Sequence, residues 1–457
     1  MQKTFSPIDG SLVAELELAT AAQIDAALDR AVAVQREWRR LSLDERIRAV
    51  GAFVDAVVAK KAELAEELTR QMGRPLKDTP GEIGGFEDRA RTMMRLAPEA
   101  LARIEPSPKE GFTRYIERVP LGVVLILAPW NYPYLTAVNA LVPALLAGNA
   151  VVLKHSDQTP LVAERLAAAA EGTLPAGLLQ SLVADHDTIA GVVGDPRVDH
   201  VCFTGSVEGG RAVHRAAAER FIAVGLELGG KDPAYVAADA DFDFTVPNLV
   251  DGAFYNAGQS CCGIERIYVH QDHYDRFVEA YAEQTRAYVL GDPLDAATTL
   301  GPVVRERSAE SIRAQIAGAV SAGAKRLIEA PYPGEDRGAT YLGPQVLVDV
   351  DGAMDVMAEE TFGPVVGIQA VASDEEALRL MNANRYGLTA SIWTTDLERA
   401  ERLGRELETG TVFMNRCDFL DPELAWVGVK DSGRGATLSV VGFEHLTRPR
   451  SFHLRHR

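Results

Sequence analysis

Apolar residues recur every three to four positions from residue 20 to about residue 72. Ile24, Leu28 and Ala31 share one face, with Ala, Glu and Arg between them, which predicts helix. A second helical stretch is predicted from about 83 to 104. The texture then changes. Residues 115–119 alternate and predict a strand, while 122–128 (GVVLILA) is a continuous apolar run rich in β-branched residues. Such a run is expected of a parallel strand covered on both faces. Residues 150–154 (AVVLK) repeat that signature. Thr159 and Pro160 read as the N-cap and first residue of a helix that runs to Ala170. Strands are predicted next at 179–183, 200–203 and 223–228, with helices at 189–194 and from about Gly209 between them. Strands and helices alternating at this spacing predict a parallel, doubly wound sheet.

After Gly229 the alternation restarts. Helices are predicted at 244–256, 273–289 and 308–322, and strands at 266–270, 345–348, 365–370 and 410–415. The expected fold class is therefore α/β, with two doubly wound open domains. The tail, 448–457, alternates Arg and His around Phe452 and Leu454. It reads as an extended arm: either a frayed basic tail or an edge strand that pairs with a partner subunit.

Composition narrows the class without choosing a chemistry. At 457 residues the chain is too long for one ordinary core, and 47% hydrophobic with 25% charged residues is ordinary for a globular protein. A net charge of −18 disfavours nucleic acid and anionic membrane surfaces as partners. The first residues carry no apolar signal and no Arg-rich transit helix, and the longest apolar stretch is too short to span a bilayer. Four cysteines in so long a chain do not make a disulfide framework, and a reducing cytoplasm is the simplest expectation. There is no C-x-x-C or H-E-x-x-H spacing, so no metal site is argued.

Five segments carry candidate chemistry. In 256–262 (NAGQSCC), Cys261 follows a helix and a glycine, which can leave its sulfur exposed in a cleft; a structural cysteine is the bland alternative. A redox pair of Cys261 and Cys262 ranks low, because vicinal disulfides are strained. In 225–231 (GLELGGK), Glu227 ends an apolar strand, where desolvation raises a carboxyl pKa toward that of a general base; a salt-bridged strand terminus competes. In 128–133 (APWNYP), Asn131 sits at the C-terminal end of a buried strand and can donate to a developing oxyanion, or simply form a turn. In 203–209, Gly205 and Ser206 open a helix whose N-terminus can meet a pyrophosphate, although the pattern is not G-x-G-x-x-G. Lys154 and Asp157 end another strand, where they can hold ribose hydroxyls or stand in solvent. A nucleophile, a base, an oxyanion donor and a nucleotide cradle, all at strand ends, together outweigh the separate bland readings.

These segments resemble the aldehyde dehydrogenase superfamily, of the hydrolytic, succinate-semialdehyde-dehydrogenase-like type. The matching stretches are PWNYP (129–133), VVLKHSDQTP (151–160), FTGS (203–206), LELGGKDP (226–233), FYNAGQSCC (254–262), EETFGPV (359–365), NRYGLTA (384–390) and GVKDSGRG (428–435). They run in the family's order over most of the chain.

The resemblance implies Cys261 as nucleophile, Glu227 as general base and Asn131 as oxyanion donor. It implies Lys154 and Asp157 at the adenosine ribose, Gly205 and Ser206 at the pyrophosphate, and Glu360 and Phe362 at the nicotinamide ribose and ring. Trp130 and Leu228 join the cofactor set. It further implies a cofactor-binding domain (1–104 and 120–228), a catalytic domain (229–435) and a small oligomerisation element (105–119 and 436–457), hence a homodimer or homotetramer. Asp157 stands where many NAD-preferring members carry Glu, so NAD is favoured and NADP admitted. The usual PWGG segment is altered to 425–428 (AWVG). The implied reaction oxidises an aldehyde to the acid through a thioester on Cys261. Which aldehyde is left open, and Arg416 is either a partner for a substrate carboxylate or half of a structural ion pair. A CoA-acylating relative is disfavoured by the retained Glu227, a thiol hydrolase by the nucleotide residues, and a non-catalytic scaffold by the complete site.

Overall fold

The computed structural model describes residues 1–457. The chain opens with an antiparallel hairpin, Gln2–Phe5 with Leu12–Leu16, which the apolar pattern does not announce. The long helical region at 20–72 is three helices, Ala21–Trp38, Leu43–Val58 and Lys61–Met72. Thr20 with Gln23 and Ser42 with Glu45 form reciprocal capping boxes that start the first two. Gly73, left-handed at φ +84°, stops the third. The fourth helix, Thr79–Ala100, starts and ends about four residues earlier than expected, because Pro80 sits in its first turn.

Two open sheets follow. In the first, the spatial order is Gly433–Arg434, Ala223–Glu227, His200–Thr204, Val123–Ala128, Ala150–His155, Leu179–Ser181. All neighbours are parallel except Gly433–Arg434, which runs antiparallel to Ala223–Glu227. The chain enters at Val123–Ala128, winds outward to one side, then crosses to His200–Thr204 on the other. That reversal opens a crevice at the carboxyl ends of the two central strands. The short Gly433–Arg434 strand falls at the end of the expected catalytic unit but extends the first sheet instead. A Cβ at Gly433 would lie 2.0 Å from the Leu226 carbonyl oxygen, so only glycine makes this approach.

The second sheet has the order Lys325–Arg326, Gln345–Val348, Val365–Val371, Ile264–His270, Asp232–Val236, Thr389–Trp393, Thr411–Met414. Each sheet anchors its own buried apolar cluster. Asp232–Val236 and Thr389–Trp393 are unforeseen, although both are fully buried. Further helices, Asp374–Asn382 and Leu397–Gly404, were also unread.

One local expectation needs correction, and the open reading of the C-terminal arm is narrowed. Thr159 does not cap its helix: Leu161–Ala170 begins after Pro160, the Thr159 hydroxyl has no partner, and the Leu161 N–H donates instead to Gln71 Oε1 at 3.3 Å. The C-terminal arm, Thr447–Arg455, pairs with Phe112–Pro120 of its own chain in continuous antiparallel register. Tyr115 and Phe452 stack across that ribbon at 4.5 Å.

Candidate active site

The turn that carries Cys261 is held in an uncommon conformation. Asn256 (φ +54°), Ala257 (φ +55°) and Gly258 (φ +68°) are successively left-handed. Two non-glycine residues there cost on the order of 1–3 kcal/mol each, so the surroundings must enforce them. Asn256 is gripped on both sides: Arg74 Nε donates to its Oδ1 at 3.0 Å, and its Nδ2 donates to the Gln259 carbonyl at 3.1 Å. A Cβ at Gly258 would sit 2.1 Å from the Gly363 carbonyl oxygen. Gln259 Oε1 accepts the Val304 N–H at 2.8 Å and pins the next step.

Arg74 is the hub. It pairs with Glu82 at 2.5 Å, both side chains being essentially inaccessible, and donates to the Asn131 carbonyl. Glu82 Oε1 in turn accepts the Tyr134 N–H at 2.8 Å. This caps the helix Pro133–Ala147, whose own N-cap residue, Tyr132, supplies no side-chain cap. One buried ion pair thus ties the end of strand Val123–Ala128, where Asn131 sits, to the turn that presents Cys261. The Asn131 amide Nδ2 donates to the Gln259 carbonyl at 3.3 Å, a long bond beside the cysteine segment.

Cys261 is half-buried and all four cysteines are free thiols. Cys262 is buried and donates to Asp418 Oδ1 at 3.1 Å, alongside Ser260 Oγ at 2.6 Å. Its hydrogen bond with Cys261 and its burial push its thiol well above the ordinary range. Glu227 ends its strand with both oxygens engaged: Thr437 Oγ1 donates to Oε1 at 2.5 Å and Thr204 Oγ1 to Oε2 at 3.1 Å. Burial raises its carboxyl pKa, against the Thr437 and Thr204 bonds and the Arg89 charge. Arg89, itself buried, lies within electrostatic reach of Glu227, Cys262, Glu82 and Cys261, so this carboxyl and the two thiols share one positive field.

The residues that the resemblance assigns to the nucleotide lie at the carboxyl edge of the first sheet. Ser206 Oγ accepts the Gly209 N–H at 3.1 Å and caps Val207–Ala216, while the Gly205 N–H donates to the Glu227 carbonyl at 3.0 Å. Leu228 is buried against Val207 and Tyr386. Lys154 is partly buried, and burial lowers its ammonium pKa. Asp157 is not alone: Arg305 Nη2 stands 2.6 Å from its Oδ1, and Arg305 Nε donates to Gln158 Oε1 at 2.9 Å. Burial opposes ionisation of Asp157, but Arg305 outweighs it and holds the carboxyl below the usual range.

Glu360 and Phe362 reach the site from the second unit. Glu360 Oε1 accepts the Gly230 N–H at 3.0 Å, and a Cβ on Gly229 would lie 2.3 Å from its carboxyl. Burial, then the neighbouring Glu265, pushes Glu360 up to about 8. Glu265 accepts the N–H groups of Thr361 (2.8 Å) and Phe362 (2.9 Å) and is paired with buried Lys231, which shapes this loop with Phe362 at φ +51°. The Phe362 ring then meets Trp130 edge-on at 5.5 Å. Crevice, open helix N-terminus, half-buried lysine and glycine-lined approach to Glu360 fit a nicotinamide dinucleotide.

Sequence reasoning missed Arg74, Glu82, Arg89, Asp418 and Thr437. Each acts across a long stretch of chain; only the G-R-P turn around Arg74 and the lone Glu82 in an apolar helix face were visible signals. Arg416 makes no ion pair, its guanidinium lying 3.4 Å over the Phe419 ring, so the structural ion-pair alternative is not formed.

Two open, mainly parallel sheets, each with its own buried core, and a half-buried thiol beside the strand ends of the first make this an α/β protein of the dinucleotide-binding class. The model described as "Aldehyde dehydrogenase family" matches residues 1–452. The chain is 36% identical to the 3,6-anhydro-alpha-L-galactose dehydrogenase of Streptomyces coelicolor, covering 99% of this chain and 92% of that protein. It is also 36% identical to the NADP+ succinate-semialdehyde dehydrogenase of Mycobacterium avium, over 96% and 93% of the two chains. The solved succinic semialdehyde dehydrogenase of Streptococcus pyogenes, in complex with NADP+, superposes with a TM-score of 0.94 at 29% identity and covers 100% of both chains. The chain belongs to the aldehyde dehydrogenase family: it is an NAD(P)-dependent oxidoreductase acting on the aldehyde group. No helix is long and apolar enough to cross a membrane.

Proposed function

We propose that the chain oxidises its aldehyde through a covalent cycle on Cys261, with Glu227 as base and Asn131 as oxyanion donor. The observation that carries this reading is the Arg74 network, which holds the Asn131 strand end and the Cys261 turn in one buried unit. The thiol must lose its proton to react, and Glu227 is the raised-pKa carboxylate that can take it. Sulfur then bonds to the carbonyl carbon. The Asn131 amide and the Cys261 N–H stabilise the oxyanion, and losing one such donor costs roughly 10²–10³ in rate. A nicotinamide dinucleotide held at the crevice would supply the acceptor for the hydride this adduct expels, which would leave a thioester on Cys261. Once Glu227 has passed the thiol proton on to solvent, it takes a proton from water as the water oxygen bonds to the acyl carbon; the C–S bond breaks and the electron pair returns to sulfur as thiolate.

Lys154, Asp157, Gly205, Ser206 and Leu228 would line the nucleotide, and Trp130, Glu360 and Phe362 its nicotinamide end. The two sheets support residues 1–104 and 120–228 as the cofactor unit and most of 229–435 as the catalytic unit. The unpaired Arg416 favours an aldehyde that bears a carboxylate, in keeping with the relative named for succinate semialdehyde. The test is reduced-nicotinamide absorbance over an aldehyde panel with NAD and NADP in parallel. Turnover of succinate semialdehyde that falls at least tenfold more in Arg416→Gln than turnover of a neutral aldehyde supports the reading; equal losses refute the Arg416 assignment.

A further inference from the structure

The crevice accounts for one side of Glu227. Its other side borders a narrow cavity of about 30 Å³, which exceeds the room one water needs. The cause lies in the strand register. His200, Cys202 and Thr204 point to one face of their strand, paired with Ala223, Gly225 and Glu227 of the next. Gly225 has no side chain, so the row between His200 and Glu227 is left open. The cavity follows that row from the carboxyl edge of the sheet to its amino edge, roughly 13 Å at ~3.3 Å per residue.

At the amino edge the cavity meets solvent. His200 and His445 line it, and both also line a surface pocket of about 310 Å³ with Asp199, Glu444 and Arg448. His200 is buried and its Nδ1 has no hydrogen-bond partner; Asn139 Nδ2, also on the cavity wall, has none either. Buried polar nitrogens without partners on a cavity wall are the usual mark of bound water. His445 is exposed. Besides Glu227 and these two imidazoles, the titratable groups facing the passage are Cys202 and Arg434, with Arg89 acting on Glu227 from the helix Thr79–Ala100.

We propose that this passage is the proton exit of Glu227, running through cavity water to His200, His445 and solvent at the amino edge of the sheet. The inference rests on the reading of Glu227 as the base. In thioester hydrolysis the O–H bond of water breaks, its proton goes to Glu227, and the carboxyl must release it before the next cycle. The crevice side is then filled by acyl group and nucleotide, while the cavity side stays connected to solvent. Thr437, donating to Oε1, stands at the inner mouth and can pass the proton by accepting from Glu227 as it donates to water. A neutral imidazole takes a proton on one nitrogen and gives one from the other. Burial lowers His200 to about 4, which keeps it neutral and uncharged between transfers.

The test fills or breaks the passage without touching the crevice. A Cβ at Gly225 would meet nothing closer than 3.8 Å, so Gly225→Val enters the cavity without a backbone clash. His200→Phe removes the imidazole, and is the second variant should the first fold poorly by its thermal midpoint. Rapid-mixing traces should show the first turnover of reduced nicotinamide at the parent rate. The steady-state rate should then fall about tenfold or more, with a larger solvent deuterium effect on kcat. A parent-like steady-state rate and deuterium effect in both variants overturns the exit. Glu227→Gln, measured alongside, separates the two readings. If it stalls at the thioester while the cavity variants run normally, the base stands and the exit falls; if it turns over normally, the base falls and the exit with it.

Discussion

Arg305 places its guanidinium 2.6 Å from the Asp157 carboxylate, reaching from the start of helix Glu306–Ser321 to the nucleotide edge of the other sheet. A lone carboxylate there repels a ribose 2′-phosphate; a carboxylate neutralised by arginine repels it far less. The expected outcome is that NADP is used as well as NAD, and that Arg305→Ala exposes the repulsion. We expect kcat/KM for NADP to fall about tenfold relative to NAD, equivalent to ~1.4 kcal/mol. An unchanged ratio would remove Arg305 from cofactor choice.

Cys261→Ser should abolish dehydrogenase turnover while nucleotide binding, followed by fluorescence titration, persists. Mass spectrometry of the parent enzyme mixed with aldehyde should find the acyl mass on the peptide that contains Cys261. Unaltered turnover in the serine variant would move the nucleophile elsewhere.

Thr437 stabilises the ionised form of Glu227, so its removal should shift the base further up. With Glu227 as the proposed base, which acts only when ionised, activity should fall as pH drops through its raised pKa. In Thr437→Val the acid limb of the kcat profile should move to higher pH by about one to two units, from the ~1.5–3 kcal/mol of a hydrogen bond to a charged group. An acid limb that stays in place would mean another group controls it.

The strands of the first sheet were legible because GVVLILA and AVVLK are buried on both faces and carry no polar interruption. Asp232–Val236 was not, since Asp232 and Pro233 disguise a strand whose Asp232 is satisfied only by Thr389, far along the chain. Nothing local in 112–120 or 447–455 names its partner either; only the family resemblance grouped those two segments, and the register came from the fold. At the site, Cys261, Glu227 and Asn131 stood out as residue types at strand ends. Arg74 and Glu82 did not, because an isolated Arg or Glu in sequence reads as surface, and only folding shows that the pair is buried. The Arg305 contact that alters the meaning of Asp157 was hidden likewise.

Breaking the Arg74–Glu82 pair should therefore be costly well beyond a surface salt bridge. Glu82→Ala leaves a buried guanidinium without its counter-ion and strips the cap from the helix Pro133–Ala147. A loss of about 3–5 kcal/mol in urea unfolding is expected. A loss below about 1 kcal/mol, the range of an exposed pair, would contradict its structural weight.

The ribbon of 112–120 and 447–455 is the least self-sufficient part of the chain. Two strands alone are marginal in water, and both outer edges carry unpaired backbone groups. Most of Thr447–Arg455 is exposed, yet Phe112 stacks on His453 at 4.9 Å and Tyr115 on Phe452, so the ribbon is ordered by side chains that a second copy can cover. We expect the intact chain to sediment as a dimer or tetramer, and a chain ending at residue 446 to sediment as a monomer. The truncated chain should keep the helical and strand content of both α/β units by circular dichroism, because neither sheet borrows a strand from the ribbon. If the truncated chain still sediments with the parent, the contact between copies lies elsewhere and the exposed ribbon needs another explanation.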